Sequence, residues 1–355
     1  MHQVGLTDYE ARAPSSDHLR RKLFGLQYLR AVAALAVVVY HSAKKSGFDL
    51  TIGEAGVDLF FVLSGYLMIA ITDDRSRPEP FLRARIERIV PTYWLATTVM
   101  LAGAVAHLFP NVVLTPSYVL SSYLFIPTYS PNGLLWPLLT PGWTLNYEMF
   151  FYAVFAAAML MRSQRRVLMM ITVLFVTLVL AGLAWRPTGA VAATYTDPLL
   201  LEFAAGAWLG LLWKAERPWP SWLGWPSLLA GLALLVAIGT GLSEEMVAQQ
   251  RSFRFGIAAV IVVASLLAME RRSPIAQYRL PLFLGDASYS IYLWHALAIS
   301  VSAKFCALLG FGSAVTILLG VIFGTAVGAA GYLWFERPVQ QFFAERRRRA
   351  RAVSV

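Results

Sequence analysis

The stretch Arg30-Ala-Val-Ala-Ala-Leu-Ala-Val-Val-Val-Tyr-His41 decides the fold. Arg30 and His41 are eleven positions apart, and at about 100° per residue that is three turns plus about 20°, so both side chains leave the same helix face. The rise between them is about 16 Å, roughly half the thickness of bilayer hydrocarbon. A charged side chain at the centre of a membrane helix costs about 2.5–3.5 kcal/mol even on the gentler insertion scales. A chain keeps such a group where it has a partner or a ligand. One face of one helix therefore carries a fixed cation deep on one side and a titratable imidazole near the other.

The composition around this stretch agrees with a membrane setting. Of 355 residues, 58% are hydrophobic and only 14% charged, against about 25% charged in soluble domains. Apolar runs of membrane length fall at roughly 24–41, 57–72, 89–109, 143–161, 167–185, 198–213, 222–242, 254–270, 287–306 and 311–335. The expectation is an all-α integral membrane protein, a bundle of about ten transmembrane helices. It divides into an N-terminal segment (1–23), a transmembrane domain (24–338) and a basic tail (339–355). The first run lacks a small-residue cleavage site behind it and reads as a retained helix. The single cysteine, Cys306, lies in an apolar run and reads as a packed residue, so no internal disulfide or thiolate metal site is expected. No zinc-ligand spacing, phosphate loop or dinucleotide fingerprint occurs, and neither a metal nor a tightly bound cofactor is expected.

The charge balance of +10 has a membrane explanation rather than a nucleic-acid one. With connections assigned alternately, 23 Lys and Arg fall on the side of the N-terminus and 5 on the other, Arg30 and Lys304 being inside helices. By the positive-inside rule, both termini are cytoplasmic and the chain is a multi-pass membrane protein. The run Arg346–Arg349 then anchors against anionic lipid. The connection at roughly 110–142 has no Asp, Glu, Lys or Arg but carries Tyr118, Tyr123, Phe125, Tyr129 and Trp136. It reads first as an interfacial aromatic belt, and second as a platform for stacking sugar rings.

This topology assigns depths. His41, Asp58, Glu148 and Glu202 are expected in the outer stratum, Arg30, Arg85 and Arg88 in the inner one, and His295 near the middle. An imidazole oriented by a carboxylate is an acid–base pair, which makes His41 with Glu148 or Asp58 the catalytic candidates. Asp58 reads equally as a helix N-cap, and Glu202 as a structural acid. Arg85-Ile-Glu-Arg88 places two guanidiniums one helical turn apart, a spacing suited to phosphate oxygens; taken alone, positive-inside anchoring explains it as well. Ser64-Gly65 permits close helix approach, and no base is visible beside Ser64 to make it a nucleophile.

These residues resemble the opening of the acyltransferase-3 family of membrane acyltransferases. The resemblance lies in Gly25-Leu-Gln-Tyr-Leu-Arg30 with Tyr40-His41, and in Gly56-Val-Asp58-Leu-Phe-Phe-Val-Leu-Ser64-Gly65. It continues in Arg85-Ile-Glu-Arg88, in Gly142-Trp143-Thr-Leu-Asn-Tyr-Glu148-Met-Phe-Phe-Tyr152 and in Ser288-Tyr-Ser-Ile-Tyr-Leu-Trp294-His295. It runs in order along nearly the whole chain. The Leu-Gln-Tyr-Leu-Arg opening looks most like members that O-acetylate bacterial exopolysaccharide or O-antigen. The end of the sequence soon after Glu336-Arg-Pro338 implies that the hydrolase-like domain fused in some relatives is absent.

The resemblance implies an acyl-CoA co-substrate, acetyl-CoA first, and a polysaccharide or lipid-linked oligosaccharide acceptor. Arg30, Arg85 and Arg88 would bind the donor, and His41 would act as general base on a sugar hydroxyl. Ser64, Tyr152 and His295 are candidates for oxyanion or substrate contacts. The rival reading is a transporter or flippase for a lipid-linked sugar, with Arg30, His41 and Glu148 as a proton relay. The lack of an internal repeat and the inner arginine pair speak against it.

Overall fold

The computed structural model describes residues 23–353 apart from 216–217, 221 and 242–243. The N-terminal segment, with Arg12 and Arg20–Lys22, and Arg217 lie outside the described residues. The described chain is helical, with no strand among its residues. In order, the helices are α1 (Phe24–Lys45), α2 (Ala55–Ile71), α3 (Pro78–Val105), α4 (Pro116–Tyr123) and α5 (Trp143–Ala158). They continue as α6 (Gln164–Trp185), α7 (Ala190–Tyr195), α8 (Leu200–Lys214), α9 (Trp225–Gly241) and α10 (Glu244–Arg272). The last are α11 (Arg279–Asp286), α12 (Ser288–Leu308), α13 (Ser313–Gly331) and α14 (Arg337–Val353). Each of the ten apolar runs falls on a helix. Six helical stretches among the described residues are long and apolar enough to cross a membrane: those beginning at Phe24, Thr51, Thr140, Gln164, Ser288 and Ser313.

Lipid exposure is written on the outer helices. α6 shows Val173, Leu180 and Leu183 to its surroundings, and α13 shows Leu318, Ile322 and Phe323. A soluble protein rarely leaves so continuous an apolar surface open. The interior is filled by aromatic rings, among them Phe61 and Phe151, each with its ring centre 4.6 Å from that of Phe203.

Without a hydrophobic force between helices in lipid, close approach relies on small residues. The α2–α8 contact is the clearest case. A side chain at Gly65 would collide with the backbone of Phe203, and one at Gly206 with the backbone of Val62. The α1–α2 contact works likewise: Gly53 meets the backbone of Ala36, and Gly56 that of Ala33. These pairings run antiparallel and fix the level of every residue on α2 against α1.

Two polar details hold the frame. The start of α1 has no side-chain cap of its own; instead the buried Gly25 N–H donates to Glu270 Oε1 of α10 at 2.8 Å. A carboxylate at a helix start satisfies an orphan donor and meets the positive end of the helix dipole. The second detail is the connection before α5. It does not stay at the surface: Leu138, Leu139, Pro141 and Gly142 are buried. Its backbone is satisfied inside the protein, Leu138 N–H donating to Ser122 Oγ at 2.9 Å and Gly142 N–H to the Leu139 carbonyl at 2.8 Å. Irregular backbone is tolerated at membrane depth when protein surrounds it. The aromatic belt is accordingly split, with Tyr118 and Phe125 buried and Tyr129 and Trp136 exposed.

Gly206→Val should destabilise the bundle by about 1–3 kcal/mol or more through overpacking. Gly189→Val, which meets nothing within 4 Å, should leave stability unchanged. Thermal unfolding of the purified variants in detergent, followed by size-exclusion, checks both.

Candidate active site

One cavity of about 730 Å³, its mouth included, is lined by α1, α2, α3, α5 and α12. It gathers six of the nine residues singled out from the sequence: Arg30, Ser64, Arg85, Arg88, Glu148 and Tyr152. The rest of the lining is largely apolar, with Phe60, Leu67 and Ile89 among it. Three guanidiniums against one carboxylate make the lining cationic, which favours an anionic ligand.

Helix geometry explains the selection of arginines. On α3, Arg85 and Arg88 are three residues apart and share the cavity face. Arg83 lies on the opposite side, where it donates to Glu87 at 2.8 Å, and Glu87 also takes Arg347 of α14. Arg30 donates to Ser288 Oγ through Nε at 3.2 Å and Nη2 at 3.0 Å. The charges of Arg88, Glu336, Asp286 and Glu148 all lie close enough to act on it.

Glu148 accepts from Ser64 Oγ at 3.1 Å and from the Tyr152 hydroxyl one turn along α5. No base is visible beside Ser64 along the chain; the fold places a carboxylate there. The depth expected for Glu148 is also corrected. Gly56 lies opposite Ala33, so Ser64, eight residues further along α2, sits about 12 Å nearer the start of α1. Glu148 therefore stands level with the arginines rather than with His41. The cause is the buried connection, which lets α5 begin below the surface.

His41 is half-buried and does not line this cavity. Its ring centre is 5.0 Å from that of His295. Between this pair and the cavity stands Tyr292, which lines the cavity on one side and lies 5.8 Å, ring to ring, from His295 on the other. Tyr292 is fixed by Thr144, whose hydroxyl lies 3.0 Å from its own. Asp58 is fully buried in the first turn of α2. The N-cap of that helix is Glu54, so the capping alternative for Asp58 does not hold. Glu202 is buried in the first turn of α8 and packs on Gly256 of α10.

Sequence reasoning missed Glu336. It ends a π-helical stretch, Tyr332–Glu336, is 2% exposed, and accepts from Gln340 Nε2 at 2.9 Å. Arg88 and Arg30 both act on its carboxylate. Single π turns inside helices occur frequently at functional sites. The only signal in the sequence was an acid closing the last apolar run.

The acyltransferase domain of the acyltransferase-3 family matches residues 23–334, and the chain belongs to that family. It is 45% identical over 322 residues to the exopolysaccharide production protein ExoZ of Rhizobium meliloti (strain 1021), covering 89% of this chain and 97% of that protein. It is 28% identical to a protein of Komagataeibacter xylinus named "Putative membrane-bound transacylase BcsY", over 78% of this chain and 72% of that one. With "Putative peptidoglycan O-acetyltransferase YrhL" of Bacillus subtilis (strain 168) it shares 26% identity over 90% of its length, spanning about half (55%) of that longer protein. No solved structure matches.

Ser64 and Tyr152 bond the same oxygen of a half-buried carboxylate. Tyr152→Phe should cost about 1.5–3 kcal/mol, the range for a hydrogen bond to a charged group. Combined with Ser64→Ala, the two losses should be non-additive by about 0.5 kcal/mol or more. A double-mutant cycle on thermal unfolding measures the coupling.

Proposed function

We propose that the chain transfers an acyl group, acetyl first, from acyl-CoA to a hydroxyl of an exported or cell-surface polysaccharide. The observation that carries this reading is the convergence of Arg30, Arg85 and Arg88 on one otherwise apolar cavity in a member of an acyltransferase family. Membership supports acyl transfer, and the 45% identity to an exopolysaccharide production protein supports a polysaccharide acceptor. In this reading about ten helices span the bacterial inner membrane with both termini cytoplasmic, and the arginine end of the cavity opens inward.

The donor's phosphates meet Arg85 and Arg88 through charge-assisted hydrogen bonds. Its arm lies along the apolar lining past Arg30 towards Tyr292. His41, about 16 Å from Arg30 along α1, takes the proton of the acceptor hydroxyl as that oxygen attacks the acyl carbon. The C–O bond forms, the C–S bond breaks, and the proton passes to the leaving thiolate. Glu148 already holds Ser64 and Tyr152, so of the two carboxylates Asp58 is assigned the orienting role on His41.

The test is full-length protein in lipid nanodiscs with radiolabelled acetyl-CoA and base-deacetylated exopolysaccharide from cells lacking the gene. Base-labile label on the glycan is expected; label staying on CoA would overturn the reading. His41→Ala should lower transfer by about 10²–10⁴-fold, the usual weight of a general base, with insertion intact. Arg85→Ala should raise the KM for acetyl-CoA more than that for glycan. A change in the glycan KM alone would remove the phosphate role.

A further inference from the structure

His295 has three properties that do not occur together by packing alone. It is 0% exposed. Its Nδ1 lies 2.6 Å from the carbonyl oxygen of Tyr292, three residues back on α12. A carbonyl oxygen only accepts, so Nδ1 carries the hydrogen and the neutral ring keeps its lone pair on Nε2. That Nε2 has no hydrogen-bond partner among the described residues. Leaving a buried acceptor unsatisfied costs free energy that an apolar residue of similar size would not. The neighbour that gives the lone pair a use is His41, whose ring centre is 5.0 Å away with the planes 35° apart.

The contact is enforced from several sides. On α13, Gly324 leaves room against the β-carbon of His295 and the side chain of Val38. Gly328 lets that helix close on the backbone of Ile291. On the cavity side, Tyr292 and Phe60 pack edge to face, with ring centres 6.0 Å apart, and both line the cavity. Fully buried, the imidazole of His295 is no surface for a glycan.

We propose that His295 is the positioning residue of His41, receiving a hydrogen bond from the imidazolium that forms there during transfer. This rests on His41 being the base. A neutral imidazole has one N–H, and an imidazolium has two. When His41 takes the hydroxyl proton, it gains a donor and a charge in surroundings of low polarity. Nε2 of His295 is an uncharged acceptor on a ring whose centre lies 5.0 Å from that of His41. It stabilises the charged form without itself gaining a proton, and the proton continues to the thiolate. One of the two imidazolium N–H groups faces the hydroxyl and then the thiolate; the other is shared between Asp58 and Nε2 of His295, and its donation strengthens as the ring becomes charged.

The experiment compares His295→Phe with His295→Gln in full-length protein in nanodiscs. Thiol release from acetyl-CoA is followed in the presence of base-deacetylated exopolysaccharide from cells lacking the gene. Phe fills the site without an acceptor, whereas the Gln amide carbonyl restores one. The expected result is a kcat lower by about 10–100-fold for Phe, the cost typical of losing an orienting partner. The KM for acetyl-CoA should not change, and Gln should recover at least half of the loss on a logarithmic scale. A kcat within twofold of wild type for His295→Phe would overturn the proposal. So would equal losses for Phe and Gln with both proteins folded. If wild type itself releases no thiol, the acyl-transfer reading fails instead.

Should the Phe variant fail to insert, solid-state NMR of ¹⁵N-histidine-labelled wild type at mildly acidic pH decides. An N–H···N coupling between two imidazoles, lost in His41→Gln, is expected; its absence from wild type would overturn the proposal.

Discussion

A guanidinium inside an apolar bundle has to be solvated by the protein itself, and the arrangement around Arg30 follows from that requirement. Ser288 takes two of its N–H groups, and the carboxylates of Glu336, Asp286 and Glu148 offset its charge against Arg88. Each partner comes from a different stretch of chain, so the cation draws α5, α11, α12 and the π turn towards α1. The same cluster leaves the cavity with an excess of positive charge. Folding and ligand preference thus share one cause: the cluster that shelters Arg30 also brings three guanidiniums and a single carboxylate to the cavity wall.

Much of this was legible along the chain because it depended on helical period and apolar length. Arg30 and His41 share a face by arithmetic alone, and Arg85 with Arg88 separate from Arg83 by the same arithmetic. What depended on lateral contact was not legible. Nothing in the residues around Ser64 announces Glu148, 84 positions away. Depth counted from a surface at Trp143 puts Glu148 too far out, because Leu138–Gly142 descend into the protein. Glu336 escaped notice because a π turn leaves no periodic trace. The cap of α1 was equally hidden, since it is supplied by Glu270 rather than by a residue before Phe24.

The fold also separates two chemical environments that the sequence placed on one helix face. At one end are three guanidiniums in an open, charged cavity. At the other are two imidazoles behind an aromatic wall of Tyr292 and Phe60. Tyr292 serves both sides, lining the cavity while its carbonyl fixes the tautomer of His295.

Beyond α2, the partners of α1 lie late in the chain: Gly25 with Glu270, Gln27 with Gly285, Arg30 with Ser288, His41 with His295. During synthesis the first helix enters the bilayer long before any of these exists. Its guanidinium must then be accommodated by headgroups, water or an insertion factor until translation has passed residue 295. Assembly closes from the C-terminal half back onto the beginning, so a ribosome stalled near residue 250 would leave in the membrane a chain with an unsheltered cation, a mark by which surveillance proteases could recognise an unfinished product.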